Sequence, residues 1–218
     1  LFKHVHTSVC ADQRRALEVS DIGNLLCETE KAATCGSLPI ELQTTKNIFA
    51  LMFLLRGIPF VDLAYLRKAD IQGNTLRYRR RKTGRLLTVM LTPDAMKLIR
   101  IVAKTKPESP YLFPFLSSPE GTEAAYHEYQ SSLRVFNYRL SRLKKYIKTA
   151  AHLSSYTIRH TWATMAYYCE IHPGIISEAM GHSSIKVTET YLKPFQNEKI
   201  DNANSQVISY VKEYASIV

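Results

Sequence analysis

Hydrophobic residues recur at helical spacing along most of the chain. The clearest stripe lies in residues 131–148, where apolar positions follow one another at intervals of three and four residues: Leu133, Phe136, Leu140, Leu143 and Ile147. Such a stripe predicts an α-helix with one buried face. Apolar runs, N-capping residues and helix-starting prolines predict further helices over 21–31, 39–55, 60–66, 92–104, 157–169, 173–180, 185–192 and 204–217.

One stretch has a different pattern, which is typical of β-structure. Residues 70–91 contain two turn pairs, at 73–74 and 83–84, separated by β-branched and long side chains. Turn residues between such runs predict antiparallel strands joined by tight turns. We therefore expect a mostly α fold with a small antiparallel β-sheet, of the α+β class.

The length and the apolar content predict one globular unit. With 218 residues, 45% of them hydrophobic, the chain can bury a sizeable core. Residues 20–218 are expected to form this unit. Residues 1–19 are expected to be a polar linker from a preceding domain, because the chain begins at Leu1 rather than at methionine. The longest apolar run, 48–55, suits a buried helix and is too short for a membrane span.

The charge balance is strongly basic, since 29 lysines and arginines face 19 acidic residues and give a formal net charge of +10. Such an excess favours a polyanionic partner like nucleic acid, although a solvated basic surface would give the same count. The four cysteines form no C-x-x-C pair and no secretory signal is present, which predicts a reduced cytoplasmic protein without structural zinc. His4 and His6 fit a tail better than a metal site.

The candidate chemistry is cationic and phenolic. The sequence has no glycine-rich phosphate loop, no H-E-x-x-H and no G-x-S-x-G motif. It has instead Y-T-I-R-H-T at 156–161, M-G-H at 180–182 and Tyr191, nine positions after His182. The planar fork of Arg159 suits a phosphodiester, and a tyrosine hydroxyl can attack phosphorus where nearby cations stabilise the developing charge. This pattern favours phosphoryl transfer without a metal ion.

These three segments resemble the tyrosine recombinases, also called the phage integrase family. The family pattern is H-x-x-R-H-T, then L-G-H about twenty residues later, then a tyrosine nine positions after that histidine, and the resemblance extends from about Ala16 to Lys193. It implies the DNA breaking and rejoining fold, and site-specific recombination by an integrase of a mobile element. A DNA strand would be cut through a covalent 3′-phosphotyrosine and rejoined to a new 5′-hydroxyl, with no metal or other cofactor.

The resemblance assigns a role to each matching residue. Tyr191 would be the nucleophile, Arg159 the second arginine of the phosphate clamp, and His182 a hydrogen-bond partner of the phosphate. Lys82, at the predicted hairpin tip, would be the general acid toward the leaving 5′-oxygen, whereas His160 is expected to be structural. Taken alone, each role has a simpler alternative: one of 13 tyrosines that merely packs, a surface arginine, a helix-end histidine, or a lysine in a basic strand.

Tyr156 departs from the family pattern, because it stands where the family usually has histidine. A neutral phenol cannot serve as an imidazole base at neutral pH. It can still donate a hydrogen bond to a phosphate oxygen or to Tyr191.

The first arginine of the family is also missing. The pattern G-L-R-x-x-E-L, laid on residues 57–63, places Pro59 at the arginine and Asp62 at the acid. We expect Arg56 to supply the guanidinium through a bend at the following glycine and proline, the alternative being an arginine that caps a helix end. Asp62 would orient an arginine, or form an ordinary surface ion pair.

Further basic side chains are predicted to contact the DNA backbone: Arg77, Arg79, Arg81, Arg85, Arg134, Arg142 and Lys145. Those in helix 131–148 could equally form a solvated face. The resemblance also implies double-stranded DNA as the partner, a homotetramer assembled on DNA through helix 204–217, accessory DNA-bending proteins, and association with the nucleoid. The apolar face of that helix could instead dock on its own chain.

Two other functions fit parts of the pattern. A type IB topoisomerase shares the active-site chemistry, but the spacing from M-G-H to Tyr191 favours a recombinase. A DNA-binding protein that keeps the fold without catalysis would explain the missing arginine and histidine.

Overall fold

The elements that the sequence pattern predicts are present in a computed structural model, which describes residues 16–27, 38–103, 107–147, 149–192, 195 and 197–215. Within these residues the helices are α1 (Val19–Cys27), α2 (Ile40–Leu54), α3 (Phe60–Ala64), α4 (Pro93–Val102), α5 (Glu123–Ile147), α6 (Thr157–Tyr168), α7 (Pro173–Met180), α8 (Ile185–Glu189) and α9 (Asn197–Ala215). The strands are β1 (Ile71–Gln72), β2 (Thr75–Arg79) and β3 (Leu86–Met90). A mostly α fold with a small antiparallel sheet is therefore confirmed.

The beginning of the described chain is packed. The predicted linker lies outside the described residues up to position 15, as do His4 and His6. Ala16 and Leu17 are buried, and the backbone N–H of Leu17 donates to Thr161 Oγ1 over 2.9 Å. The folded unit thus includes residues ahead of position 20, the predicted start of the domain.

Threonine caps fix the starts of two helices. Thr92 Oγ1 accepts a hydrogen bond from the N–H of Ala95 at the start of α4, as the sequence predicts. Thr122 Oγ1 accepts from the N–H of Ala125 in the same way, so α5 begins ahead of the predicted stripe. The first turns of α5 are too polar to reveal a helix by periodicity.

The sheet is a meander in the strand order β1-β2-β3. In β2 and β3, Leu76 lies opposite Val89 and Tyr78 lies opposite Leu87, and all four side chains are buried. Neighbouring side chains point to the other face, because successive residues alternate across a strand. One face of the hairpin therefore packs on the protein, and its arginine-rich face is exposed.

Two apolar clusters position the site. The larger surrounds α2, which contacts α1, α4, α5 and α6. It includes the predicted stripe of α5, of which Phe136, Leu140 and Leu143 are buried and Leu133 and Ile147 are partly buried. The smaller cluster joins α6 to α7 through Ala163, Ala166, Ile176 and Met180, with Tyr191 packed against it.

The C-terminal helix is longer than predicted, since α9 begins at Asn197. Its first turn is fixed on the end of α6, where Lys199 Nζ donates to the carbonyl of Tyr168 over 2.8 Å. The ring of Phe195 stacks on Tyr167, with ring centroids 4.3 Å apart. Further along α9, apolar side chains are exposed: Val207, Ile208 and Val211. None of the described helices is long and apolar enough to cross a lipid bilayer.

Candidate active site

The residues of the three sequence segments lie together in one site. The Tyr191 ring centroid is 4.9 Å from that of His182 and 5.9 Å from Arg159 Cζ. The hydroxyl of Tyr156 lies 3.2 Å from the hydroxyl of Tyr191. Loops and helices separated along the chain therefore bring two phenols, an imidazole and a guanidinium into contact range.

Arg159 is the buried centre of the site, with only 1% of its surface exposed. It projects from α6 and donates from Nη1 to the carbonyl of Gly57 (2.8 Å) and from Nη2 to the carbonyl of Met180 (2.7 Å). Its Nε is buried without a hydrogen-bond partner among the described residues. Burial lowers the pKa of Arg159 and the charge of Arg80 lowers it further, yet an arginine stays charged.

Gly57 permits this arrangement. Its φ is +66°, and a Cβ added there would lie 3.0 Å from Arg159 Cα. A side chain at this position would push α6 away and strain the turn that follows α2. The glycine of the family pattern thus serves the close approach of the backbone to Arg159.

His182 follows a left-handed turn at the end of α7. Gly181 occupies this turn with φ +66°, so the chain reverses and places the imidazole beside Arg159. His182 Nδ1 lies 2.8 Å from Thr188 Oγ1, and Nε2 is buried without a partner among the described residues. With the Thr188 hydroxyl as donor to Nδ1, the ring proton lies on Nε2, which becomes a free donor. Thr188 was not predicted, because its role depends on how α8 folds back.

Burial, followed by the charges of Arg159 and Arg80, lowers the pKa of His182 to about 3. We expect the unfolding free energy of the DNA-free chain to rise with pH from about 3 to 6.5, the ordinary pKa of histidine. In this range the unfolded imidazole binds a proton that the folded one does not, giving at most about 1.4 kcal/mol per pH unit; above the unfolded pKa the slope vanishes. Denaturant unfolding of the wild type and of His182→Gln across this range measures the difference. Identical pH dependences would contradict a buried neutral His182.

Tyr191 is docked in the site of its own chain. Its ring stacks on His160, with centroids 4.3 Å apart, and its carbonyl accepts a hydrogen bond from Thr164 Oγ1 over 3.1 Å. Burial raises the pKa of Tyr191, and the hydrogen bond to Tyr156 raises it further. The hydroxyl therefore keeps its proton until a reaction removes it. His160, which the sequence placed outside the catalytic set, forms the surface beneath the Tyr191 ring.

Arg56 lies at the turn between α2 and α3, in a left-handed conformation with φ +60° that is uncommon for arginine. Its Nη1 donates to the carbonyl of Thr88 on β3 over 3.3 Å. The hydrogen bond thus joins the end of α2 to the hairpin. Pro59 is the N-cap of α3. The assignment of Arg56 to the phosphate clamp stays a prediction.

Arg80 was not predicted as a site residue. It follows β2 and continues the inward face of Leu76 and Tyr78, so it is buried while its neighbours are exposed. Its Nη1 forms an ion pair with Asp62 Oδ2 over 2.6 Å, and the side chain of Asp62 has no exposed surface. The alternation of the strand was the signal in the sequence. Asp62 therefore holds an arginine in the interior and does not form a surface ion pair.

The hairpin tip lies over the Met-Gly-His turn. Thr83 Oγ1 donates to the carbonyl of Gly181 (3.2 Å), and Arg85 Nη1 donates to the carbonyl of His182 (2.9 Å). Lys82 is exposed at this tip, and its charge is among those that lower the pKa of His182. The turn thus carries an ammonium group to the edge of the site.

The predicted DNA-contacting arginines occupy different settings. Arg81 stacks on the Tyr65 ring, 3.7 Å from its centroid, and pairs with Glu120, which also binds Arg67. Arg81 is therefore partly engaged within the protein. The remaining predicted side chains are exposed on the hairpin and on α5: Arg77, Arg79, Arg134, Arg142 and Lys145. Within the described part of the chain, no group of His, Cys, Asp and Glu is placed to hold a metal ion.

The sequence pattern of the phage integrase family matches residues 24–198. The chain therefore belongs to this family, which comprises the tyrosine recombinases. Among curated protein sequences, none matches this chain.

Several solved structures share the fold. XerA recombinase aligns with a TM-score of 0.60 and 15% identity, covering 88% of this chain and 64% of that one. XerH recombinase bound to a palindromic difH substrate aligns with a TM-score of 0.59 and 16% identity, covering 88% of this chain and 52% of that one. The Tn1549 transposon integrase in complex with circular intermediate DNA aligns with a TM-score of 0.57 and 15% identity, covering 88% of this chain and 66% of that one. This chain thus spans between about half and two thirds of these proteins.

Proposed function

We propose that this chain is the catalytic part of a site-specific recombinase that cleaves and rejoins DNA through Tyr191. The observation that supports it is the position of the Tyr191 phenol beside Arg159 and His182, two buried side chains with N–H groups that have no acceptor among the described residues. Buried donors are nearly always paired in folded proteins. A phosphodiester supplies the acceptors and the negative charge that both side chains favour.

The proposed reaction is a transesterification. The Tyr191 oxygen attacks the scissile phosphorus, the P–O5′ bond breaks, and the leaving 5′-oxygen takes a proton from Lys82. Tyr156, whose hydroxyl lies 3.2 Å away and whose side chain is exposed to water, relays the phenolic proton: its oxygen accepts that proton while its own O–H passes a proton to water, so Tyr156 stays neutral. Attack of a 5′-hydroxyl on the phosphotyrosine reverses these steps. The energy of the phosphodiester bond is kept in the phosphotyrosine bond, so rejoining requires no nucleotide cofactor.

Double-stranded DNA is the proposed partner. The exposed arginines of the hairpin and of α5 would neutralise backbone phosphates, and the net charge of +10 has the matching sign. We further propose a homotetramer on DNA, in which the exposed apolar face of α9 docks on a neighbouring copy. Accessory DNA-bending proteins complete the proposed set of partners.

Covalent trapping tests this function. The chain is incubated with a pool of nicked duplexes of randomised sequence, in which cleavage releases a short fragment and prevents rejoining. We expect adducts that survive SDS, with the DNA attached to the peptide that contains Tyr191. Trapped duplexes are sequenced over several cycles and define a substrate. If binding occurs but no adduct forms over the whole pool, the chain is a DNA-binding protein without catalysis.

Lys82→Ala should cleave the trapped duplex about 10²-fold more slowly than wild type, because the leaving 5′-oxygen loses its proton donor. A duplex with sulfur at the bridging 5′ position should restore most of the rate, since a thiolate leaves without protonation. Single-turnover cleavage of both substrates measures the effect, with Arg79→Ala on the same hairpin as the matched control. An equal loss on both substrates would show that Lys82 is not the acid.

A further inference from the structure

Three buried side-chain nitrogens have no hydrogen-bond partner among the described residues, and they belong to Arg80, Arg159 and His182. Folded proteins pair nearly all buried polar groups, so an isolated exception can be strain or a missing water. Here two of the exceptions are guanidinium N–H groups, the third is the imidazole Nε2, which carries the proton when Thr188 donates to Nδ1, and all three belong to one site. Three donors with no acceptor indicate a ligand that supplies several acceptor oxygens.

Arg80 reaches this site from the hairpin. A Cβ added at Gly181 would lie 2.8 Å from Arg80 Cγ, so the stem of Arg80 rests on the glycine that precedes His182. The charge of Arg80 lowers the pKa of both His182 and Arg159. The two guanidiniums and the imidazole are therefore electrostatic neighbours as well as neighbours in the fold.

Asp62 fixes the orientation of Arg80. Its Oδ2 accepts from Arg80 Nη1 over 2.6 Å, and its Oδ1 accepts the backbone N–H of Arg81 over 3.0 Å. Both carboxylate oxygens thus accept hydrogen bonds from the two residues that follow β2. The bond to Nη1 holds one edge of the Arg80 guanidinium, and Nε has no partner among the described residues. One buried acid against two buried arginines leaves a net positive charge, which favours an anion.

Resting on the proposed function, we propose that Arg80, oriented by Asp62, contacts the scissile phosphate beside Arg159 and His182. It thereby supplies the guanidinium that the family pattern places at the position of Pro59. The acid of that pattern is retained in α3, but its arginine comes from the end of β2. The N–H groups of Arg80 donate to a non-bridging oxygen, and no bond to Arg80 forms or breaks.

Arg56 is the competing source of this guanidinium. Arg56 is half-buried, and its Nη1 donates to the carbonyl of Thr88. Arg80 is 6% exposed, its Nε–H has no acceptor among the described residues, and its ion-pair partner is the acid that the family pattern predicts. These three differences favour Arg80 over Arg56 as the source of the guanidinium at the phosphate.

The test compares two forms of the duplex trapped by the wild-type chain. One has an ordinary scissile phosphodiester, and the other has a methylphosphonate, in which a methyl group replaces one non-bridging oxygen and removes the charge. On the diester we expect Arg80→Ala to reduce the cleavage rate by about 10²-fold, the usual effect of removing one donor to a developing oxyanion. On the methylphosphonate the loss should be below about threefold, because little charge remains to be neutralised.

A second variant distinguishes a loss of catalysis from a loss of folding. Arg80→Ala leaves the Asp62 carboxylate buried and unpaired, so Arg80→Gln combined with Asp62→Asn replaces the ion pair by a neutral hydrogen-bonded pair. Thermal unfolding confirms that each protein is folded, and we expect the same difference between substrates in the double variant. Arg100→Ala, which removes an exposed arginine of α4, should stay within about threefold of wild type on both substrates.

Each other outcome overturns the proposal. Equal losses on the two substrates would reduce Arg80 to a structural residue, and unchanged rates would remove it from the reaction. A charge-dependent loss in Arg56→Ala but not in the Arg80 variants would assign the guanidinium to Arg56. If the wild type forms no adduct with any duplex, the proposed function itself fails. If the wild type forms adducts and the Arg80 variants match it, only this inference fails.

Discussion

Tyr191→Phe is expected to abolish the covalent adduct, with a loss of at least about 10⁴-fold, while DNA affinity stays within about twofold of wild type. The substitution removes only the hydroxyl that would attack phosphorus. The ring keeps its packing on His160 and on the cluster between α6 and α7. SDS-stable trapping and a gel-shift titration with the same duplex measure the two quantities.

Tyr156→Phe is the matched control for this variant, because the two hydroxyls share one hydrogen bond. If Tyr156 only relays the phenolic proton to water, a water molecule can replace its hydroxyl, and we expect about a tenfold slower cleavage. An adduct on Tyr191→Phe would contradict the assignment. Peptide mapping of that adduct would then identify the true nucleophile.

Arg159→Ala is expected to reduce cleavage by at least about 10³-fold and to lower the unfolding free energy by about 3 kcal/mol. The catalytic loss follows from the missing charge at the phosphate. The loss of stability has a separate cause, since the carbonyls of Gly57 and Met180 would lose their buried donors. Denaturant unfolding and single-turnover cleavage measure the two effects.

Arg159→Lys separates the loss of catalysis from the loss of stability. A lysine restores a positive charge but cannot reach both carbonyls and a phosphate at once, so most of the rate should remain lost. Rates are normalised to the folded fraction, which removes the stability effect. A normalised rate near that of wild type in either variant would exclude Arg159 from the phosphate site.

The helices and the motif residues were predictable because their signals are local. Apolar spacing revealed the buried stripe of α5, and a fixed spacing linked His182 to Tyr191. The missed residues depend on contacts that the sequence does not display. Arg80 stands in a run of three arginines with equal chemistry, and only the alternation of side chains that it continues from β2 turns it inward.

The starts of elements were less predictable where polar residues carry no periodic signal. The first turns of α5 rely on the Thr122 cap, and the start of α9 relies on contacts with the end of α6. The role of Thr188 in orienting the imidazole of His182 arises only after α7 and α8 have packed. Such pairs are consequences of tertiary structure, so no pattern within one element could reveal them.

The docking of Tyr191 beside Arg159 of the same chain determines the stoichiometry of the proposed reaction. Each copy holds both the proposed nucleophile and the proposed phosphate-binding groups, so the smallest active unit would be one chain on one scissile phosphate. In an assembly, the order in which copies react would then depend on how each copy binds its own stretch of DNA. Delivery of a tyrosine from a neighbour would not be the limiting event.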